Sequence, residues 1–265
     1  YCPVCFKTMR NLLLTIRYKG TKYHGFQVQK NALAVATVFQ DAVEAVFHQR
    51  LDIKGCSRTD TGVHANRFCV SLKTESTIPC DRLVKALNIN LPWDVAVLAC
   101  REVPLDFHAR YNCKGKRYVY KILNSEIKDP FLEGLVHQHR YPLDVQELNR
   151  AAQDFVGTHD FSSFCSAGSK IEDMTRTIYA ASVRREGDLV LFTVEGDGFL
   201  YNMVRIMAGT LIDISKGLIP PDGIPAVIAA RDRERAGFTA PACGLYLDEV
   251  FYEEGEMALP SPESK

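Results

Sequence analysis

Arg58-Thr59-Asp60-Thr61-Gly62-Val63-His64-Ala65 puts a cation, a carboxylate, a glycine and an imidazole into one polar segment between apolar, strand-like runs. Gly62, two residues after Asp60, lets the backbone turn at positive φ or come close to a ligand. Arg58 stands two residues before Asp60, the spacing that places two side chains on one face of an extended chain, and a cation there favours an ionised, fixed carboxylate. Such a carboxylate is a candidate nucleophile. The same residues also fit a plain Asp-x-Gly turn between two strands.

Working outward, Leu12, Leu14, Ile16 and Tyr18 alternate with Leu13, Thr15 and Arg17, which predicts a strand with one strongly apolar face, followed by a turn from Gly20 to Gly25. Apolar residues at Val35, Val38, Phe39, Ala42, Val43, Val46 and Phe47 predict an amphipathic helix over 35–49. Strands are expected over 67–73 and 95–103, around a helix over 81–91 that stops before Pro92. The second half repeats this grammar. A strand runs from Lys116 to Leu123, a helix starts at Asp144 with Glu147 in its first turn, and a hairpin over 177–185 and 188–195 turns at Glu186-Gly187-Asp188. Helices over 200–216 and 223–235 complete it. Two successive strand–helix–strand units predict an α+β duplication without a low-complexity linker.

Lys+Arg and Asp+Glu balance at 32 each, so any surface for nucleic acid must come from segregation of charge. Residues 107–125 carry Arg110, Lys114, Lys116, Arg117 and Lys121 with no acid, interleaved with Tyr111, Tyr118 and Tyr120. That composition suits phosphate contacts and base stacking, and it equally suits a solvated strand face. Acids crowd the other end, at Asp248, Glu249, Glu253, Glu254 and Glu256. The nine cysteines, with Cys69, Cys100 and Cys165 isolated in apolar segments, read as reduced thiols of a cytoplasmic protein, in line with no signal peptide and no bilayer-length apolar run. Cys2-Pro3-Val4-Cys5 has the spacing of a metal knuckle but no matching Cys/His pair, so no metal is expected.

Asp60-Thr61-Gly62 alone is also the triplet of aspartic proteases, which need two such triplets sharing one proton. No second Asp-Thr-Gly or Asp-Ser-Gly occurs, and apolar residues do not precede this one. Ser57 to Ala65 instead resembles the signature of the bacterial tRNA pseudouridine synthase A family, whose aspartate is the essential catalytic residue. Ser57 stands where that family commonly has Gly, and Thr61 where it has Ala.

The resemblance covers nearly all of residues 9–252. Gly25-Phe26-Gln27-Val28-Gln29 resembles the family's N-terminal loop, which implies RNA contact for Phe26 and Gln27; Arg58 is taken as a further substrate-binding residue. Lys116-Arg117-Tyr118-Val119-Tyr120 matches the segment whose first tyrosine lies against the target uracil, and Lys114 and Lys116 are expected to meet phosphate. Gly198 to Arg205 matches the block whose arginine pairs with the catalytic aspartate, and Ala242 to Leu247 the segment whose first leucine, here Leu245, packs on the other face of the uracil.

The implied catalytic set is therefore Asp60, Arg205 and Tyr118, working without cofactor or metal. The implied fold is α+β: two RRM-like, ferredoxin-like halves with joined antiparallel sheets and a central active-site cleft. The first half spans 9–110 with Asp60 and the second 111–252, with 1–8 an extension outside the fold and 253–265 an acidic tail. The implied reaction is isomerisation of uridine to pseudouridine at tRNA positions 38–40 in the anticodon stem-loop, by a cytoplasmic homodimer without membrane contact. The Ser57 and Thr61 departures leave room for a paralogue acting on another RNA such as ribosomal RNA. A non-catalytic RNA-binding or RNA-folding protein on the same scaffold would have no need of Asp60, Tyr118 and Arg205 together.

Overall fold

A computed structural model describes residues 8–168 and 171–253. The expectations for Cys2, Cys5, Glu254 and Glu256 lie outside them. The chain divides after Cys113 into two compact units, Tyr1–Cys113 and Lys114–Lys265.

In the first unit the apolar alternation forms β1 (Arg10–Tyr18), with Leu12, Leu14 and Ile16 at most 1% exposed. Helix α1 (Val35–Phe47) buries Phe39 and Val43. The expected span ran two residues further, to 49, but His48 turns left-handed at φ 52° and stops the helix. There follow β2 (Ile53–Gly55), β3 (His64–Thr74), α2 (Cys80–Asn90) and β4 (Val95–Val103). Leu91 goes extended, as a residue before proline must, and ends α2. The strands lie in the order β4-β1-β3-β2, each pair antiparallel, which is the βαββαβ arrangement of an RRM-like unit. Each fully buried Leu, Ile or Phe contributes about 1.5–3 kcal/mol.

The second unit opens with β5 (Gly115–Leu123), the short β6 (His137–Gln138) and α3 (Val145–Ala152). The Asp144 carboxylate caps α3, accepting from the Gln146 and Glu147 amides at 3.0 Å each. After β7 (Gly157–Asp160) come β8 (Thr175–Glu186) and β9 (Leu189–Gly196). A two-residue Gly187-Asp188 turn joins them with Gly187 at φ 58°, the glycine-first hairpin turn that the sequence signals. Next are α4 (Met203–Ser215), α5 (Ile224–Ala230) and β10 (Leu245–Phe251). The order β10-β5-β9-β8 repeats the first unit's topology, with β7 added beyond β8 and β6 lying parallel to β5.

Tyr120 and Phe192 pair across β5 and β9 on the core face, where Phe155 and Phe164 pack edge to face at 5.4 Å. Two helices are shorter than their periodicity. Residues 200–202 stay outside α4 because Asn202 is left-handed at φ 60°. The expected helix over 223–235 breaks at left-handed Arg231, after which Asp232 caps a separate single turn through the Glu234 amide.

Candidate active site

The octapeptide is the loop joining β2 to β3, with only His64 and Ala65 in the strand. The Val63 N–H donates to the Asp60 carbonyl at 3.1 Å and Gly62 has φ 81°, which makes Asp60–Val63 a type II turn. The segment is a glycine-dependent turn whose first position carries a half-buried carboxylate.

Residues 18–25 brace this turn from behind. The Tyr18 hydroxyl meets Thr59 Oγ1 at 2.9 Å, the Gly62 N–H donates to the Tyr23 carbonyl at 3.1 Å, and the Gly20 N–H donates to His64 Nδ1 at 2.9 Å. Gly25 lies so close that a Cβ on it would stand 2.1 Å from the Thr59 carbonyl oxygen. His64 is 1% exposed, and because its Nδ1 accepts, the neutral ring carries its proton on Nε2. It orients backbone. Tyr23 is fixed in turn by donating to Asp94 Oδ1 at 2.6 Å, and burial raises its hydroxyl above the ordinary tyrosine value.

Beside the loop, Arg58, Phe26 and Gln27 line one cavity of about 460 Å³ together with Lys54, Arg110 and Tyr111. Arg58, Gln27 and Arg110 are exposed, whereas Phe26 is 6% exposed and stacks on Phe68 at 4.2 Å. Phe26 is thus a wall of the cavity more than a free contact. His108 lies against Tyr111 at 4.2 Å, and burial, then the charges of Lys54 and Arg110, hold it below the ordinary imidazole value. Asp52 in the lining pairs with Lys54 at 2.7 Å, which leaves, among the described residues, Arg58 and Arg110 as the cavity's uncompensated cations beside aromatic rings, a lining that suits a nucleotide.

In the second unit Tyr118 is buried on β5 and meets Phe199 edge-on at 5.1 Å. Tyr118 pairs with Leu247 and Tyr120 with Leu245, so Leu245 is the diagonal neighbour of Tyr118 on the same face. Lys114 is exposed and Lys116 half-exposed.

The basic stretch over 107–125 is less available than its composition suggests. Arg117 donates to Glu195 at 2.6 Å, approaches Asp248 at 3.8 Å and lies over the Phe251 ring. Lys121 sits 4.0 Å over the Tyr246 ring, and Tyr120 is fully buried with its hydroxyl donating to the Pro241 carbonyl. Glu195, fully buried opposite Arg117, carries no mark in the sequence beyond its place in an apolar strand.

Arg205 lies in the first turn of α4, where a cation opposes the helix dipole. Its Nε donates to the Ala240 carbonyl at 2.7 Å and its Nη1 to Asn202 Oδ1 at 2.8 Å. Asn202 is held by donating to Ser166 Oγ at 2.9 Å. A guanidinium fixed at a helix N-terminus is a receptor for an anion. Asn202, which holds it, was missed by sequence reasoning; its only signal was the left-handed preference of asparagine ahead of an apolar helix.

Among the described residues no group of three or more His, Cys, Asp or Glu is placed to hold a metal, and no helix is long and apolar enough to cross a membrane.

Residues 14–112 and 151–253 match the family model of tRNA pseudouridine synthase. The tRNA pseudouridine synthase A of Acetivibrio thermocellus is 48% identical over 244 residues, covering 92% of this chain and all of that one. The protein of the same name from Ruminiclostridium cellulolyticum is 44% identical over 92% of this chain and its own full length. That from Halalkalibacterium halodurans is 44% identical over 89% of this chain and 90% of its own. The chain belongs to the tRNA pseudouridine synthase family, isomerases that convert uridine to pseudouridine in tRNA.

Proposed function

We propose that this chain isomerises uridines at positions 38–40 of tRNA with Asp60 as the reacting carboxylate. In the reaction the bond from ribose C1′ to N1 of uracil breaks, the base rotates, C1′ joins C5, and the proton leaving C5 is balanced by one gained at N1. No water is consumed. Asp60 acts on the ribose or the base as nucleophile, or removes a sugar proton; its carboxylate is common to all three routes. The observation that carries this reading is the braced type II turn, which fixes the backbone that presents Asp60 without help from a substrate.

Arg205 is an anion receptor, and membership of the family leads us to assign Asp60 as its anion. Tyr118 and Leu245 are assigned to the two faces of the uracil. Diagonal neighbours on a sheet stand about 7–8 Å apart, close to the two van der Waals gaps that a planar base between them needs. Arg58, Gln27, Lys114 and Lys116 are assigned to phosphate and ribose, with Phe26 walling the cavity that Arg58 and Gln27 line. The chain is placed in the cytoplasm as a homodimer acting on tRNA without cofactor.

The deciding experiment measures tritium release from tRNA labelled at uridine C5, alongside maps of pseudouridine in total RNA with and without the protein. Asp60→Ala is expected to abolish release while tRNA affinity and the thermal midpoint stay near wild type. Residual turnover in that variant overturns the assignment of Asp60, and loss of pseudouridine outside 38–40 alone overturns the assignment of substrate.

A further inference from the structure

A second cavity, of about 580 Å³, lies wholly within the second unit and uses none of the residues assigned above. It is lined by His137 and His139 from β6 and its exit, by Arg140 and Tyr141, and by Lys216 and Phe238. His137 and His139 are two residues apart along an extended segment and so share a face. Lys216 caps the C-terminal end of α4, with its ammonium 4.9 Å over the Phe238 ring and 3.3 Å from Asp213. The His137 ring lies 6.5 Å from Phe238, and the Arg140 guanidinium 5.9 Å over exposed Tyr141.

His139 is 7% exposed and its Nε2 is buried with no hydrogen-bond partner. An unsatisfied buried imidazole nitrogen is destabilising, so the site is incomplete as it stands. The groups around it define what would complete it. Lys216 and Arg140 are cationic, Tyr141 offers a hydroxyl, and the facing carboxylates are Glu126, exposed at the rim, and Asp213, engaged by Lys216. Burial holds both imidazoles below their ordinary value, His139 and then Lys216 push His137 further down, and Lys216 does the same to His139. A metal cation would meet repulsion from Lys216 and Arg140; an oxyanion would relieve all four.

We propose that this cavity binds a phosphate group, held by the imidazoles of His137 and His139, the Lys216 ammonium and the Arg140 guanidinium. A backbone phosphate of bound RNA and free inorganic phosphate share this chemistry. The RNA source rests on the tRNA reading above, and exposed Tyr141 at the rim offers a ring for the attached nucleoside. The free-phosphate source is independent of that reading.

The test uses the full chain with carbon-13-labelled histidine, whose seven imidazole signals are assigned by single substitutions, titrated at neutral pH with inorganic phosphate and with chloride at equal ionic strength. Phosphate, and not chloride, is expected to shift the His137 and His139 signals saturably. The shift should be lost in the double variant Lys216→Met, Arg140→Met, whose exposed positions leave the fold intact by circular dichroism.

In parallel, tRNA dissociation constants of wild type and double variant are measured across salt. A slope smaller by about 0.7–0.9 per lost phosphate contact, together with the histidine shifts, identifies RNA as the source. Histidine shifts with an unchanged slope identify free phosphate. No histidine shift overturns the four-group site, whatever the slope does. The titration contains no RNA and reads no turnover, so its failure is distinct from a failure of the assigned reaction.

Discussion

Asn202 Oδ1 accepts a hydrogen bond from Arg205 Nη1 at 2.8 Å, and Asn202 reaches it from a left-handed backbone at φ 60°. The asparagine thus does two things: it closes the turn that starts α4 and it fixes the guanidinium. Asn202→Gly separates them, since glycine adopts that φ freely but cannot hold Arg205. A hydrogen bond to a charged group contributes about 1.5–3 kcal/mol, so the single-turnover rate is expected to fall about tenfold or more with tRNA affinity unchanged. Asn202→Asp is expected to be worse, because its carboxylate would compete for the guanidinium. A Gly variant with wild-type rate would show that Arg205 is positioned without Asn202.

Gly25 and Gly217 both have positive φ, at 79° and 70°, but only Gly25 faces a wall. Gly217→Ala meets nothing within 4 Å and is expected to cost about 1 kcal/mol of backbone strain with full activity. Gly25→Ala adds a collision with the Thr59 carbonyl next to Asp60, and is expected to lower the thermal midpoint further and to remove most turnover. Thermal melts and tritium release on the two variants check the contrast.

Neutralising Lys114 and Lys116 together is expected to weaken binding of all tRNAs alike and to reduce the salt slope by up to about one per lost contact. Tyr118→Ala is expected to leave that slope alone and lower turnover, because one stacked base contributes little beside many phosphates. Dissociation constants at several salt concentrations, set beside single-turnover rates, separate the two roles.

Acidification is expected to destabilise the fold through His137 and His139. Both are held below 6.5 in the folded chain, chiefly by burial, so the unfolded chain binds more protons below that value. The stability they confer is complete above about pH 6.5 and is lost as the pH falls towards their folded values. Urea midpoints between pH 7.5 and 5 should decline, and the decline should flatten in the His137→Phe, His139→Phe double variant. His108, depressed in the same direction, keeps a residual slope in that variant.

Strong period and turn chemistry made most elements readable: the alternation of β1, the Asp144 cap of α3 and the Gly187-Asp188 turn all stand where the residues put them. β2 and β6, at three and two residues, are too short to carry a period and exist because longer strands pair with them. Helix bounds were overrun at left-handed residues, His48, Asn202 and Arg231, whose backbone conformation the apolar pattern does not report. The loop with Asp60 was legible because its residue types are unusual together. Its braces were not, since Tyr18, Gly20 and His64 act through single hydrogen bonds whose partners are far along the chain. Charge composition misled at Arg117 and Lys121, because a count of cations does not reveal the carboxylate or ring that each one meets.

The brace between residues 18–25 and the octapeptide has a consequence in time. Surface loops open far more often than sheets do, and their amides exchange hydrogen accordingly. The Gly62 amide is closed onto Tyr23, whose hydroxyl is anchored on Asp94, and the Gly20 amide onto a histidine that begins β3, so both are expected to exchange slowly for loop amides. Asp60 is a loop residue by connectivity, carried on a turn bonded to its neighbours at two amides. A nucleotide arriving beside Asp60 would meet a turn whose backbone has already taken its shape.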